Sequence, residues 1–430
     1  SKSVRQSASV KLRFLGMEGI SQADREDLEL RVGELSERFE SSGKKFYIVG
    51  GVVRDLLLGK TSSDVDITTD ASPDESAAIL ENWGDTIWTQ GAKFGTIGAQ
   101  KNGAVVEVTT HRSEKYDADS RKPKVRFSGA VEQDLARRDF TINAMAIEMP
   151  AWDLVDPFNG QADLENKILR TPLSPDIAFS EDPLRMLRAA RFLSGYSLTS
   201  EMLLEESISK MAERIHIVSR ERINDEMSKL LTLSAPSSGI ALLQRTNLGN
   251  YLLFSDVDFH DVSLEALDLV EPSLSQRWAS IFWSLNKQGS QAREILSELR
   301  APKDLSSKVA QIINAGHVVA QTTTTEPSAI RHLLYKTNPH TLGAVALLEA
   351  HGVSANLNLR EAIRRIHEVE GEGKFEIPLN GFEVTDLIGS KGPIVGEMLA
   401  RLMDHRLDVG PISKDLATDL VLKWHRNPAQ

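Results

Sequence analysis

The chain of 430 residues contains no cysteine, which excludes disulfides, thiolate metal sites and a cysteine nucleophile. It also lacks any apolar run near the ~18 residues that a membrane-spanning helix requires, and its opening shows no apolar core with a small-residue cleavage site of the secretory kind. We therefore expect neither membrane insertion nor secretion, and place the chain in the cytoplasm, with mitochondrial import left open if the source is eukaryotic. Residues 1–16 are Ser-rich, carry Lys2, Arg5, Lys11 and Arg13 and contain no acid; we read them as a ragged terminus rather than a transit-peptide remnant. Nor is there an excess of positive charge. Fifty basic residues stand against 61 acidic ones, a net charge of −11, which argues against indiscriminate coating of nucleic acid. A polyanionic substrate must then meet a clustered basic face. No fixed-period repeat or long low-complexity stretch is found, and TTTT at 322–325 reads as a loop.

What is present is globular: 41% hydrophobic and 26% charged residues, with a length that predicts two to four domains. From 46 to 150 the segments FYIVGG, SDVDITT, TIWTQ, GTIGAQ, AVVEVTTHR and TINAMAIEM read as strands, with a helix near 73–83. After DPFNG at 156–160 amphipathic helical patterns take over: PLRMLRAARFLSGY, ERINDEMSKLL, SGIALLQRTNL, LREAIRRIHEV and VGEMLARLMDHRL. The expectation is an α+β chain, a mixed-sheet head followed by all-helical segments. Its expected divisions are 1–45, 46–155, 156–235, 236–360 and 361–430.

Chemistry concentrates in FYIVGGVVRDLLLGKTSSDVDITTD. Gly50 and Gly51, without Cβ atoms, let the backbone approach a phosphate at a helix start, and the fork of Arg54 suits a pair of triphosphate oxygens. Alone, a Gly-Gly is an ordinary strand-to-helix turn. Asp64 and Asp66, one residue apart on a strand, project from the same face about 7 Å apart at Cα. Such hard oxygens suit Mg2+. Glu107 lies between valines in AVVEVTTHR, and an acid in so apolar a strand needs a partner, which a salt bridge or a metal supplies equally.

These motifs resemble those of class II CCA-adding enzymes, tRNA nucleotidyltransferases of the DNA-polymerase-β-like superfamily. GGVVRDLLLGKTSSDVD is similar to the first family motif, followed in family order by GAKFGTIG (91–98), VEVTTHRSEKYDADSRKP (106–123), RRDFTINAMA (137–146), DPFNGQADL (156–164), EDPLRMLRAARF (181–192) and SRERINDEMSKLL (219–231). Beyond residue 236 the likeness is loose, chiefly LNGFEVTDLIGSKGPIVGEMLARL at 379–402.

The resemblance implies a nucleotidyltransferase head at 46–155 behind an N-terminal extension and first helix, then a neck that recognises the base, a helical body and a tRNA-binding tail. It implies addition of C, C and A to tRNA from CTP and ATP, with Asp64, Asp66 and Glu107 catalytic and the two aspartates as metal ligands. The partners implied are a tRNA acceptor arm, CTP and ATP, with no membrane and no obligate protein partner. Arg137 and Arg138 become phosphate or structural partners, Asp139 an acceptor for a ribose hydroxyl, and Asn143 a brace that bonds to backbone. Asp182 and Arg185, three apart, are expected on one helical face, as a salt bridge or as readers of a base edge. Asp accepts from the amino group of C or A while Arg donates to the adjacent ring nitrogen; guanine and uracil present the reverse. Arg188 and Arg191 are associated with the nucleotide in the family. The basic stretch from Arg112 to Arg126, with Tyr116, Asp119 and Arg121, resembles the family's flexible loop, whose presence favours an enzyme able to add the terminal A.

Alternatives are an enzyme that adds only A or only the two cytidines, a poly(A) polymerase, or a tRNA-binding protein without catalysis. Trp283 and Ser284 stand where bacterial relatives with an appended HD domain carry a His-Asp pair. His260 and Asp261 form the one His-Asp dipeptide, so residues 250–350 read as a degenerate remnant or an unrelated helical body.

Overall fold

The computed structural model describes residues 20–60, 64–115, 124–127, 130–253, 257–353, 358–372 and 375–427. It divides into two compact units, one of residues 1–226 and 238–252, the other of 227–237 and 253–430.

The first unit is built on a seven-stranded mixed sheet of order β3-β4-β5-β2-β1-β8-β9. Its strands are β1 (Phe46–Val49), β2 (Asp64–Thr69), β3 (Thr86–Trp88), β4 (Thr96–Lys101), β5 (Ala104–Thr110), β8 (Ala146–Met149) and β9 (Asp153–Val155), while β6 (Arg112–Lys115) and β7 (Lys124–Phe127) form a separate hairpin. β2 pairs parallel with β5; the remaining neighbours run antiparallel. One face packs on helix α1 (Gln22–Ser41), whose Leu28, Val32, Leu35 and Phe39 share a core with Ile48, Val65, Ile67, Val106 and Val108. The head core thus begins before residue 46. Ser21 starts α1 by accepting the Asp24 N–H, and Ser72 with Glu75 forms a capping box on α3 (Pro73–Glu81). Between them α2 (Gly51–Leu57) follows β1 directly. On the other face, α4 (Val131–Ala136) covers β1 and β8 through Val131 and Leu135 against Tyr47, Val49 and Ala146. The strands away from that cover carry the acidic residues.

Two expectations need correction. TINAMAIEM is not one strand: Thr141–Asn143 form a 3-10 turn before β8. The segment after 156 is not wholly helical either, because β10 (Ile168–Leu169) pairs parallel with β11 (Thr199–Ser200). Helices α5 (Gly160–Glu165), α6 (Pro175–Glu181), α7 (Leu184–Tyr196) and α8 (Met202–Met211) surround that bridge, and α9 (Arg220–Leu231) follows.

The second unit is helical over its described residues. One core joins Ile330, Leu334, Val345, Leu348, Ile363 and Ile366; another joins Leu379, Val384, Leu402, Val421 and Trp424. At the Trp283–Ser284 positions, the Trp283 ring lies 4.8 Å from that of His317, and Ser284 donates to the Ser280 carbonyl. His260 pairs with Asp258.

Candidate nucleotide and metal site

The alternation of DVDITT sets the site. Val65 and Ile67 are buried in the head core while Asp64 and Asp66 open to solvent on the opposite face. Gly50, at φ +79°, begins α2 beside them. A Cβ there would lie 2.8 Å from Arg138 Nη1 and 3.7 Å from Asp66 Oδ2. The missing side chain therefore lets the Arg138 guanidinium cross the turn toward Asp66. On the neighbouring turn, a Cβ on Gly51 would meet Arg54 Nη2 at 3.2 Å.

Although the tip of Asp66 reaches solvent, enough protein surrounds it that desolvation raises its carboxyl above the usual value; Arg138 opposes the rise and Asp64 adds to it. Two like charges on one strand face, one resisting ionisation, fit a divalent cation whose charge relieves both. Glu107 stands opposite Asp66 in the parallel ladder. It is exposed, not buried among valines, so water satisfies it and the expected need for a buried partner disappears. Among the described residues no three His, Asp or Glu side chains form a metal-holding group.

Arg54 is not a free phosphate clamp. It is buried, donates to Asp55 at 2.9 Å and to Asn143 Oδ1 at 2.5 Å, and its guanidinium lies 4.3 Å from the Tyr196 ring centroid and 5.5 Å from that of Phe192. Asn143 accordingly braces side chains rather than backbone: its Nδ2 donates to Asp139 Oδ1 at 2.9 Å.

Asp139 is likewise committed. Oδ1 accepts from Asn143 and the Phe140 N–H, and Oδ2 accepts from Arg188 Nε at 2.9 Å and Nη2 at 2.5 Å. With about four acceptor positions on a carboxylate, it has none left over for a ribose hydroxyl, contrary to the expectation. Burial pushes its pKa up, yet Arg188 and the other donors outweigh that and hold it below the usual range. Arg188 instead presents the remainder of its fork beside Glu226, which also pairs with Arg191.

Arg137 and Arg138 both pair with the buried Asp134, at 2.8 and 3.4 Å. Burial raises the Asp134 pKa less than the two arginines lower it. Asp134 and Glu226 were missed in the sequence. The i,i+3 and i,i+4 spacing of Asp134 to the arginine pair was a readable signal, whereas nothing local ties Glu226 to α7.

Asp182 and Arg185 do not form a pair. Asp182 is extended at φ −140°, between α6 and α7, and Pro183 is the N-cap of α7. Its Oδ1 accepts the Leu184 N–H at 3.1 Å and its Oδ2 meets Arg222 at 2.7 Å. Arg185 turns the other way, to Glu181 at 3.0 Å and to the carbonyls of Ala178 and Arg137. The two groups are separately held, so the shared helical face is corrected. Of the loop residues, Arg112 begins β6, and Tyr116, Asp119 and Arg121 lie outside the described residues.

Residues 46–170 match the family model described as the poly A polymerase head domain, and 201–257 that of a probable RNA and SrmB-binding site of polymerase A. The CCA-adding enzyme of Lactiplantibacillus plantarum is 32% identical over 85% of this chain and 88% of its own. The structure of the Bacillus stearothermophilus CCA-adding enzyme in complex with CTP is 27% identical, with a TM-score of 0.75 over 93% of this chain and 98% of that one. At 20% identity, the Thermotoga maritima CCA-adding enzyme complexed with tRNA shares the fold, with a TM-score of 0.70 over 95% and 97%.

Proposed function

The chain belongs to the family of CCA-adding enzymes, and from that membership we infer how its own residues divide the work of tRNA nucleotidyl transfer. The enzyme adds C, C and A to the 3′ end of tRNA, using CTP and ATP and releasing pyrophosphate. It depends on a divalent metal as nucleotidyltransferases do; magnesium is our assignment, from the all-oxygen donor set. Among the described residues no helix is long and apolar enough to cross a membrane, and we assign the enzyme to the cytoplasm, where its substrates are.

The observation that carries the reading is the pair of open carboxylates on β2, with Asp66 raised by its surroundings and faced by Arg138. Asp64 and Asp66 hold the metal, which when bound polarises the α-phosphate and makes the tRNA 3′-hydroxyl more acidic. Arg138, beside Gly50, lies where phosphate oxygens approach the Gly-Gly turn and α2. The attacking hydroxyl loses its proton as its oxygen bonds to the α-phosphorus, and the bond to the pyrophosphate oxygen breaks in line.

Base choice falls to Asp182 and Arg185. Their present partners are side chains and carbonyls that a base edge of the right polarity replaces in kind. Arg54, Asn143 and Asp139 act as positioning residues that join α2 to α7 through Arg188. We assign 361–430 as a tRNA-binding tail. The reading is tested with tRNA transcripts ending at the discriminator, at C and at CC, each incubated with one nucleoside triphosphate. C is expected on the first two and A on the third; extension by no nucleotide would leave a binding protein.

A further inference from the structure

A row of register partners crosses the open face of the head sheet. Trp88 stands opposite Gly98, Gly98 opposite Glu107, and Glu107 opposite Asp66. Residues directly opposite in a ladder project to the same face, so the indole of Trp88 shares the face of the catalytic carboxylates. A Cβ on Gly98 would lie 2.0 Å from Trp88 Nε1 and 2.1 Å from Cε2. The glycine thus leaves the space over β4 that the indole of Trp88 occupies. Gly98 is covered by it, while Trp88 itself stays partly exposed. The rest of this row and its flanks is polar apart from Val105: Thr86, Thr96, Gln100, Glu107 and Thr109.

We propose that Trp88 is the stacking platform for the 3′-terminal base of the tRNA substrate. This deepens the reading above and rests on it. In-line attack requires the nucleophile to approach the α-phosphorus from the side opposite the leaving group. The base-reading helix α7 joins the head on the β1 and β8 side of β2, through Tyr196 to Asp55 and Arg188 to Asp139. Trp88 lies on the other side of Asp66, beyond β5 and β4. The nucleotide and the RNA end are therefore accommodated on opposite flanks of the two aspartates. Every base has a π face, so a flat indole serves a terminus that is successively the discriminator, C and C, where hydrogen-bond readers would have to discriminate among them.

The test compares wild type with Trp88→Ala, Trp88→Leu and Trp88→Phe, measuring affinity for tRNA ending in CC and for the same tRNA lacking its last three nucleotides, with KM for tRNA and for CTP taken separately. Wild type should prefer the longer RNA. Trp88→Ala and Trp88→Leu should remove most of that preference and raise the tRNA KM roughly 5- to 150-fold, the range of one base–aromatic stack, with the CTP KM unchanged. Trp88→Phe should recover part of the loss. Gly98→Ala, which displaces the indole, should act in the same direction. Trp88→Leu keeps apolar bulk over Gly98, so it decides the matter if the alanine variant fails to fold. Full retention of the 3′-end preference in Trp88→Leu, or a change confined to the CTP KM, would overturn the proposal. Failure of wild type to extend any tRNA is a different result and strikes the functional reading instead.

Discussion

Arg188 grips one oxygen of Asp139 with both Nε and Nη2, at 2.9 and 2.5 Å, across the joint between the head and helix α7. The acid and the arginine were each expected to meet the nucleotide, and they meet each other. Substituting Asp139 by Ala frees Arg188 and leaves Asn143 and the Phe140 N–H without an acceptor. A double-mutant cycle of Asp139→Ala and Arg188→Met should give a coupling on the order of 1–3 kcal/mol in unfolding free energy. Additive effects would show that the contact is incidental.

The metal-holding pair predicts the opposite balance of stability and activity. Asp64 and Asp66 are open to solvent, so Asp64→Ala or Asp66→Ala should leave the unfolding free energy within about 0.5 kcal/mol of wild type while abolishing transfer. Glu107→Ala should reduce it less. Near-normal turnover of either aspartate variant at saturating magnesium would remove the assignment.

Much of this was legible in the sequence, for a local reason. The period-2 pattern of DVDITT survives in β2 as far as Ile67, beyond which Thr68 and Thr69 are both buried, and the 3.6-period pattern of LRMLRAARF survives in α7, because one face of each is buried. What failed depended on distant partners or on a break. Arg54 looked like a clamp because its acceptor, Asn143, is 89 residues away and its aromatic cover comes from α7. Asp182 and Arg185 looked like one helical face because the extended backbone at Asp182 leaves no mark beyond Pro183. Glu107 looked buried because its valine neighbours were taken as its surroundings, while successive side chains on a strand face opposite ways.

Arg54 gives a prediction that separates a joint from a clamp. Arg54→Ala should cost about 2–4 kcal/mol of stability, because it strands the acceptors of Asp55 and Asn143 and uncovers Tyr196. Arg54→Lys keeps the charge but not the planar fork, and should recover less than half of that. Urea unfolding measures both. An unchanged midpoint with a raised CTP KM would restore the phosphate role.

The carboxyl shifts set two pH dependences of opposite sign. Asp134 and Asp139 are lowered, so their stability contribution is full above the unfolded value of about 3.9 and is lost as pH falls through their lower folded values. Asp66 is raised; its protonated form is favoured in the folded state, and the carboxylate needed for metal binding appears only as pH rises through that raised value. The acid limb of transfer should therefore lie above the ordinary Asp range. Arg138→Met removes the charge that opposes the rise and should move the limb to higher pH. A shift to lower pH, or none, would show that Arg138 does not face Asp66 in the working enzyme.

Base selection is the sharpest consequence of the Asp182 and Arg185 geometry, because the two side chains are held apart and each can be tested alone. Asp182 accepts from Arg222 and the Leu184 N–H, and Arg185 donates to Glu181 and two carbonyls. One group thus remains an acceptor and the other a donor, the polarity that the amino group and ring nitrogen of C and A require and that G and U reverse. If they were partners in a salt bridge, removal of either would have the same effect on stability and little effect on choice. Held separately, Asp182→Ala and Arg185→Ala should each cost about 1–3 kcal/mol in transfer of the cognate nucleotides and should flatten the preference over GTP and UTP. Single-turnover addition with all four triphosphates measures this, with tRNA affinity taken independently. Arg222→Ala serves as a further arm: it leaves the bond from the Leu184 N–H to Asp182 in place and removes the partner that holds the other carboxylate oxygen, so cognate transfer should fall less than in Asp182→Ala and selectivity should persist. Unchanged selectivity in both primary variants, or a loss that appears only in tRNA binding, would move base recognition to another part of the chain.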